Sequence, residues 1–186
     1  MTSRFFRRLL CQLLLLCACA QVLAADVDVQ ARIEASEEGY KLDATYRFEL
    51  NRGLEDALQR GVKLFFTTEI DMTRRRWYWT DERPVSASRT YELSFNTLTR
   101  RYRVTNKTTH FQQTYDTVDE ALATIRLPGR WLLVPRGALK VGETYSVSLR
   151  MYLDRSELQK PLQVNALNDA DWQLSSSKKT FQYRAE

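Results

Sequence analysis

Histidine and cysteine are almost absent from the region that follows the first 20 residues. The chain of 186 residues has one histidine, His110, and its three cysteines are Cys11, Cys17 and Cys19. A metal site with several histidine ligands, or a cysteine–histidine nucleophile pair, therefore cannot be assembled in that region. Disulfide bonds are excluded from it for the same reason. We accordingly predict neither a metal site nor a bound cofactor.

Glycine is also scarce, and none of the six glycines stands in the spacing of a phosphate-binding loop. No Gly-x-Ser-x-Gly element is present to set a serine nucleophile beside His110, which we interpret as an exposed strand residue. A carboxylate pair is the one catalytic arrangement left, because acid–base hydrolysis requires only two acids with different pKa values. Asp169 and Asp171, beside Trp172, form the pair to consider. The alternative is that residues 168–171 form a loop between strands.

A single long apolar run is present, at the N-terminus. Three arginines precede the nearly unbroken apolar residues 9–20, and small residues follow before Asp26. This order of basic, apolar and small segments is typical of a secretory signal. The run is shorter than the roughly 20 apolar residues that span a bilayer. We therefore predict that residues 1–24 are a signal peptide cleaved after Ala24, and that the mature chain has no transmembrane span.

The predicted mature chain, residues 25–186, would be periplasmic or secreted. A second processing route is lipidation at Cys19, because Leu16-Cys17-Ala18-Cys19 resembles the lipid-attachment box of bacterial lipoproteins. Three arginines leave with the signal and no acid does, so the net charge falls from +5 to near +2. Charge that is so evenly mixed does not favour a nucleic-acid partner.

Apolar residues recur at every second position along most of the mature chain, which is the pattern of half-buried antiparallel strands. The clearest runs are residues 27–33, 42–50, 64–70, 91–95 and 145–153. Two short helices interrupt the pattern: one covers residues 52–60 after the cap Asn51, and the other starts at the capping box Thr117–Glu120. We predict one all-β domain over residues 25–186, an immunoglobulin-like antiparallel β-sandwich with two short crossover helices.

The most unusual local composition is Arg74-Arg75-Arg76-Trp77-Tyr78-Trp79. Arginine and large aromatic residues dominate binding hot spots, because they combine rigid area with planar hydrogen-bond donors. We therefore name Arg74, Arg76, Tyr78 and Trp79 as the candidate interaction surface. The alternative, which the pattern favours, is that Trp77 and Trp79 fill the sandwich while the arginines are solvated.

In that alternative the arginines pair with nearby acids such as Glu69 and Asp71. Surface arginines commonly form such solvated pairs, which contribute little to stability. The two interpretations differ in one observable property, the exposure of the tryptophan side chains.

Four blocks of sequence carry a resemblance to a known family. They are Tyr145-Ser-Val-Ser-Leu-Arg-Met-Tyr-Leu-Asp154, Pro161-Leu-Gln-Val-Asn-Ala-Leu167, Asp171-Trp-Gln-Leu-Ser-Ser176 and Arg76-Trp77-Tyr78-Trp79. Together they resemble family 4390 of the domains of unknown function, a family of secreted proteobacterial domains, over nearly the whole mature chain. The resemblance implies no catalytic residues, since none is established for the family. It does imply an envelope role near signalling, because the family's genes tend to lie beside those of an RNA methyltransferase and a nitrogen-regulation-type membrane sensor kinase.

These observations predict an exported, non-enzymatic binding or interaction module of the cell envelope, with an envelope protein or a membrane sensor kinase as its partner. The competing hypothesis is a carboxylate-based hydrolase that acts on an envelope polymer. The two differ in geometry. A hydrolase requires two acids that converge in a closed pocket near Trp172, whereas a binding module displays an open aromatic and basic face.

Overall fold

The computed structural model describes residues 25–78 and 80–186, so the predicted signal peptide and lipid-attachment box lie outside the described residues. Strands are the commonest element of the described chain, because alternating side chains let each strand turn one face toward a core. In chain order the strands are Ala25–Asp26 (β1), Asp28–Ala35 (β2), Gly39–Arg47 (β3), Leu64–Arg74 (β4), Glu82–Asn96 (β5), Arg101–Asn106 (β6), Gln112–Tyr115 (β7), Trp131–Pro135 (β8), Thr144–Leu153 (β9), Leu174–Ser175 (β10) and Lys179–Arg184 (β11).

The strands form two sheets. The order in the larger sheet is β1-β10-β9-β4-β5-β6-β7, with β11 also paired to β9, and the smaller sheet is β2-β3-β8. The described strand pairs are antiparallel, except that β1 and β10 run parallel. The prediction of a mainly β fold built from antiparallel sheets is therefore confirmed.

The two sheets share a hydrophobic core. Leu42 and Tyr46 of β3 enter it from the smaller sheet, and Ile70 of β4 and Leu149 of β9 enter it from the larger one. Each such side chain contributes about 1.5–3 kcal/mol to stability when it is fully buried. A hydrogen bond also joins the sheets, since the hydroxyl of Thr68 donates to the Tyr46 hydroxyl at 3.1 Å.

Both predicted helices form, and each carries the chain from one sheet to the other. Arg52–Gln59 (α1) connects β3 to β4, and Val118–Arg126 (α2) connects β7 to β8. The Asn51 side chain accepts a hydrogen bond from the Leu54 amide at 2.9 Å. Thr117 and Glu120 form the predicted capping box, in which each side chain accepts from the other residue's amide at 3.3 Å. These bonds satisfy amides that the first helical turn leaves free.

A third α-helix, Lys160–Asn168 (α3), was not predicted. It starts without a side-chain cap at Gln159, so the usual sequence signal for a helix start is missing there. Pro161 favours the start instead, because its fixed φ suits the first helical turn. The prediction of a loop over residues 168–171 is wrong, since α3 ends at Asn168 and a 3₁₀ turn follows at Ala170–Trp172. A second 3₁₀ turn, Arg155–Glu157, precedes α3.

Candidate functional site

The unusual arginine and aromatic segment lies at the end of the long β4–β5 hairpin. The two strands pair from Leu64 opposite Leu93 to Arg74 opposite Glu82, with a register shift between Met72 and Arg74. Residues 75–81, which we call the hairpin tip, connect the strands. Residues 75–78 thus lie outside the strands rather than in the continuous strand that would place alternate side chains on opposite faces.

An ion-pair cluster closes the base of the hairpin tip. Arg74 Nη2 and Arg76 Nη2 lie 2.5 and 2.6 Å from the same oxygen, Glu82 Oε2. Arg74 Nη1 also lies 3.3 Å from Glu143 Oε1, on the turn before β9. We call Arg74, Arg76, Glu82 and Glu143 the arginine clamp. The Arg74 side chain is only 11% exposed, so its guanidinium is directed at these acids and away from solvent.

The prediction for the partners of these arginines is therefore wrong, because they pair with Glu82 and Glu143. Glu69 instead accepts a hydrogen bond from the Tyr152 hydroxyl at 2.8 Å, and Asp71 lies 3.9 Å from Arg83. The cause is the strand register, which sets Arg74 opposite Glu82.

The clamp perturbs the titration of its central acid. Hydrogen bonds from Arg76 and then from Arg74 hold the pKa of the Glu82 carboxyl below its ordinary value, against an opposing effect of desolvation. The cause is the two guanidinium groups, since both favour the ionised form of the carboxylate they share.

We expect the variant Glu82→Gln to be less stable than the wild type at pH 7 and to lose that difference in acid. A carboxyl group whose pKa is lowered by folding stabilises the protein when the pH is above the pKa of the unfolded state, near 4.3 for glutamate. That stabilisation is lost as the pH falls through the pKa of the folded state. Urea unfolding at pH 7 and at pH 3 measures both differences. Glu49→Gln is the control, because Glu49 is exposed and forms no ion pair with any described residue. Equal losses at both pH values would contradict the prediction.

Two aromatic side chains project from the clamped tip. Trp77 is 93% exposed and Tyr78 is 67% exposed. Their rings meet edge to face, with centroids 4.9 Å apart and an interplanar angle of 73°, an arrangement that aromatic pairs prefer. The prediction that Trp77 fills the sandwich is wrong, because β4 ends at Arg74 and Trp77 stands beyond the sheet. Trp79, named with it, lies outside the described residues.

The loop 140–143 lies beside the hairpin tip. The Arg74–Glu143 ion pair connects the two segments. Val141 of this loop is 73% exposed. Its part in the surface was not predicted from the sequence.

The alternative carboxylate pair stands at the opposite end of the molecule from the tip. Asp169 and Asp171 are both exposed, and the Asp169 carboxylate accepts a hydrogen bond from the Asp171 amide at 2.9 Å. The carbonyl of Asp171 accepts from the Asn51 side chain at 2.6 Å, so this turn packs against the start of α1. Trp172 is partly buried against the hydrophobic core. The geometry is that of a packed turn, not of a closed pocket with two converging acids.

His110 is exposed as predicted, but it lies in a turn and not in a strand. Its φ is 57°, and its amide donates to the Asn106 carbonyl at 2.8 Å. The Asn106 side chain also accepts from the amides of Thr108 and Thr109. Asparagine commonly reverses a chain in this way, which ends β6 before the histidine.

Comparison with known protein families places this chain in a family. Across the described residues, no helix is long and apolar enough to cross a membrane. Comparison with curated proteins and with solved structures finds no match. A family model described as "Domain of unknown function (DUF4390)" matches residues 27–182, which include the clamp, the tip and nearly all of both sheets. The chain therefore belongs to the DUF4390 family.

Proposed function

We propose that this protein is an exported, non-enzymatic binding module of the cell envelope, and that it contacts another envelope component through the hairpin tip. The observation that carries the proposal is the exposure of Trp77, at 93%, next to the exposed Tyr78. Burying a large aromatic side chain on a partner releases about 1.5–3 kcal/mol. Burial of the two exposed side chains of the tip on a partner would therefore stabilise the complex.

The arginine clamp prepares the tip for binding. Ion pairs from Arg74 to Glu82 and Glu143 fix the two ends of the tip against the sheet and the neighbouring loop. A surface that is ordered before binding loses less conformational entropy when it binds. In this proposal Arg74 and Arg76 position the tip, whereas Trp77 and Tyr78 make the contact.

The non-enzymatic part of the proposal is supported by the positions of the candidate catalytic groups. Asp169 and Asp171 are exposed on a packed turn, and His110 is exposed on a distant one. A hydrolase of the carboxylate type needs two acids that converge in a closed pocket. Asp169 and Asp171 lie exposed on a packed turn instead.

Export and the partner class rest on the sequence. The proposed location is the periplasm or the exterior, after cleavage behind Ala24 or lipidation at Cys19. An envelope protein, and the membrane sensor kinase in particular, is proposed as a partner on the family resemblance alone.

A photo-crosslinking amino acid placed at position 77 tests the proposal in cells that export the chain. We expect adducts with an envelope component from position 77, because that side chain would be buried on the partner. The matched control is position 98, since Leu98 is also 93% exposed but stands on the β5–β6 turn at the other end of β5. Absence of adducts from position 77, or equal adducts from position 98, would overturn the proposal. An adduct of the kinase would identify it as the partner.

A further inference from the structure

The end of the molecule that carries the hairpin tip, with Trp77 and Tyr78, also carries a third exposed apolar side chain. Strand pairing sets Thr73, near the end of β4, opposite Ser146, near the start of β9. The loop 140–143 therefore emerges on the same side as the tip, as the Arg74–Glu143 ion pair also requires. Val141 at 73% exposure thus stands at the same end as Trp77 and Tyr78.

Cations surround these apolar side chains. Residues 74–83 contain four arginines and two acids, a net charge of +2. Glu82 is shared by two of the arginines within the clamp. Arg75 is exposed and forms no ion pair with a described acid, and Lys140 on the neighbouring loop is likewise exposed and unpaired among the described residues. Arg75 and Lys140 therefore supply unpaired positive charge at the end of the molecule that carries the aromatic rings, against one exposed acid of the tip, Asp81.

We infer that the envelope component contacted by the hairpin tip is the surface of an anionic phospholipid bilayer, an inference that rests on the proposed function. Tryptophan and tyrosine favour the membrane–water interface, where the ring is in an apolar layer and its N–H or O–H group is hydrated. Arg75 lies two residues before Trp77 in the sequence, and guanidinium groups bind phosphate with paired hydrogen bonds. The aromatic rings of the tip thus suit the acyl boundary of the membrane interface, and Arg75 suits its phosphate groups.

Size distinguishes a bilayer from a protein partner. A stable protein interface buries about 800 Å² on each side around an apolar centre. At this end of the molecule, the described residues offer three exposed apolar side chains, Trp77 and Tyr78 on the tip and Val141 on the loop 140–143. A few aromatic side chains and adjacent cations are enough for reversible adsorption to an anionic membrane, because the two contributions add.

Co-sedimentation with lipid vesicles tests the inference, using the protein as cells export it, with its N-terminus established by mass spectrometry. We expect binding to vesicles of equal parts phosphatidylglycerol and phosphatidylcholine, and weaker binding to phosphatidylcholine alone. The double variant Trp77→Ser with Tyr78→Ser is expected to lower the partition coefficient about tenfold or more, because two aromatic side chains no longer enter the interface. Arg75→Gln is expected to lower it about fivefold on the anionic vesicles only.

Leu98→Ser is the matched control, and it should leave binding unchanged, because it removes an equally exposed side chain from the far end of β5. Circular dichroism of each variant establishes that it is folded. The inference is overturned if the wild type does not bind anionic vesicles, or if the tip variant binds them as well as the wild type does. If position 77 crosslinks to a protein while vesicles are not bound, the proposed function stands and the lipid inference fails. If neither occurs, both fail.

Discussion

Replacing Leu149 by alanine is expected to lower the free energy of unfolding by about 2–5 kcal/mol, the range for leucine truncation in a packed core. Leu149 is fully buried at the middle of β9, where it lies opposite Ile70 of β4 on one side and Lys179 of β11 on the other. The loss is large beside the 5–15 kcal/mol that stabilises a typical domain. Equilibrium urea unfolding, followed by circular dichroism, measures it.

Leu98→Ala is the control for this measurement, because the same substitution on an exposed turn is expected to change stability by less than about 0.5 kcal/mol. Leu149 faces the smaller sheet through the shared core. A loss below about 1 kcal/mol at Leu149 would therefore show that the two sheets do not enclose this side chain.

Replacing Gly39 by alanine is expected to destabilise the protein by about 2–6 kcal/mol, the sum of backbone strain and a steric clash. The φ of Gly39 is +147°, and an added Cβ would stand 2.1 Å from the carbonyl oxygen of Val134 and 2.8 Å from the Cα of Pro135. These atoms belong to the backbone of β8, which pairs with β3 at this point. Relief of the clash therefore requires separation of the two strands.

Gly137→Ala separates the two causes. Gly137 has φ +90°, but a Cβ there meets no atom within 4 Å. It is expected to cost about 1–2 kcal/mol, from the unfavourable left-handed backbone alone. Thermal or urea unfolding of both variants gives the comparison. A similar loss in the two would mean that β8 does not approach Gly39 closely.

Much of the fold could be predicted, because the signals that specify it are local. Alternation over residues 145–153 reports which side chains of β9 face inward, and the structure buries the alternate positions from Tyr145 to Leu153. The capping box at Thr117 and Glu120 likewise depends on residues three apart, so it could be identified without knowledge of the partner elements. Neither signal requires information from a distant part of the chain.

The features that were missed depend on distant residues. Arg74 pairs with Glu82, which the β4–β5 register places opposite it, and with Glu143, about 70 residues later in the chain. The local sequence pattern does not specify which strands pair, so it could not identify these partners. Trp77 was assigned to the core because tryptophan is usually buried, yet the strand ends before it. Helix α3 lacks a capping side chain and packs on a small separate cluster formed by Phe65, Leu158 and Ala166. The sequence therefore identified the unusual segment and its exposed Tyr78, but not the exposure of Trp77 or the burial of Arg74 in the clamp.

The crossing of the chain between the sheets affects how fast the protein folds. The smaller sheet cannot be completed until β8 reaches β3. Gly39 and Pro135, which pair there, are about 100 residues apart, and β4 to β7 lie between them in the chain. The chain must lose the entropy of closing such a long loop before the contact can stabilise it. All-β domains rich in such contacts therefore fold in milliseconds to seconds. During that interval β2 and β3 form a hairpin whose second edge, later covered by β8, is open to pairing with another chain.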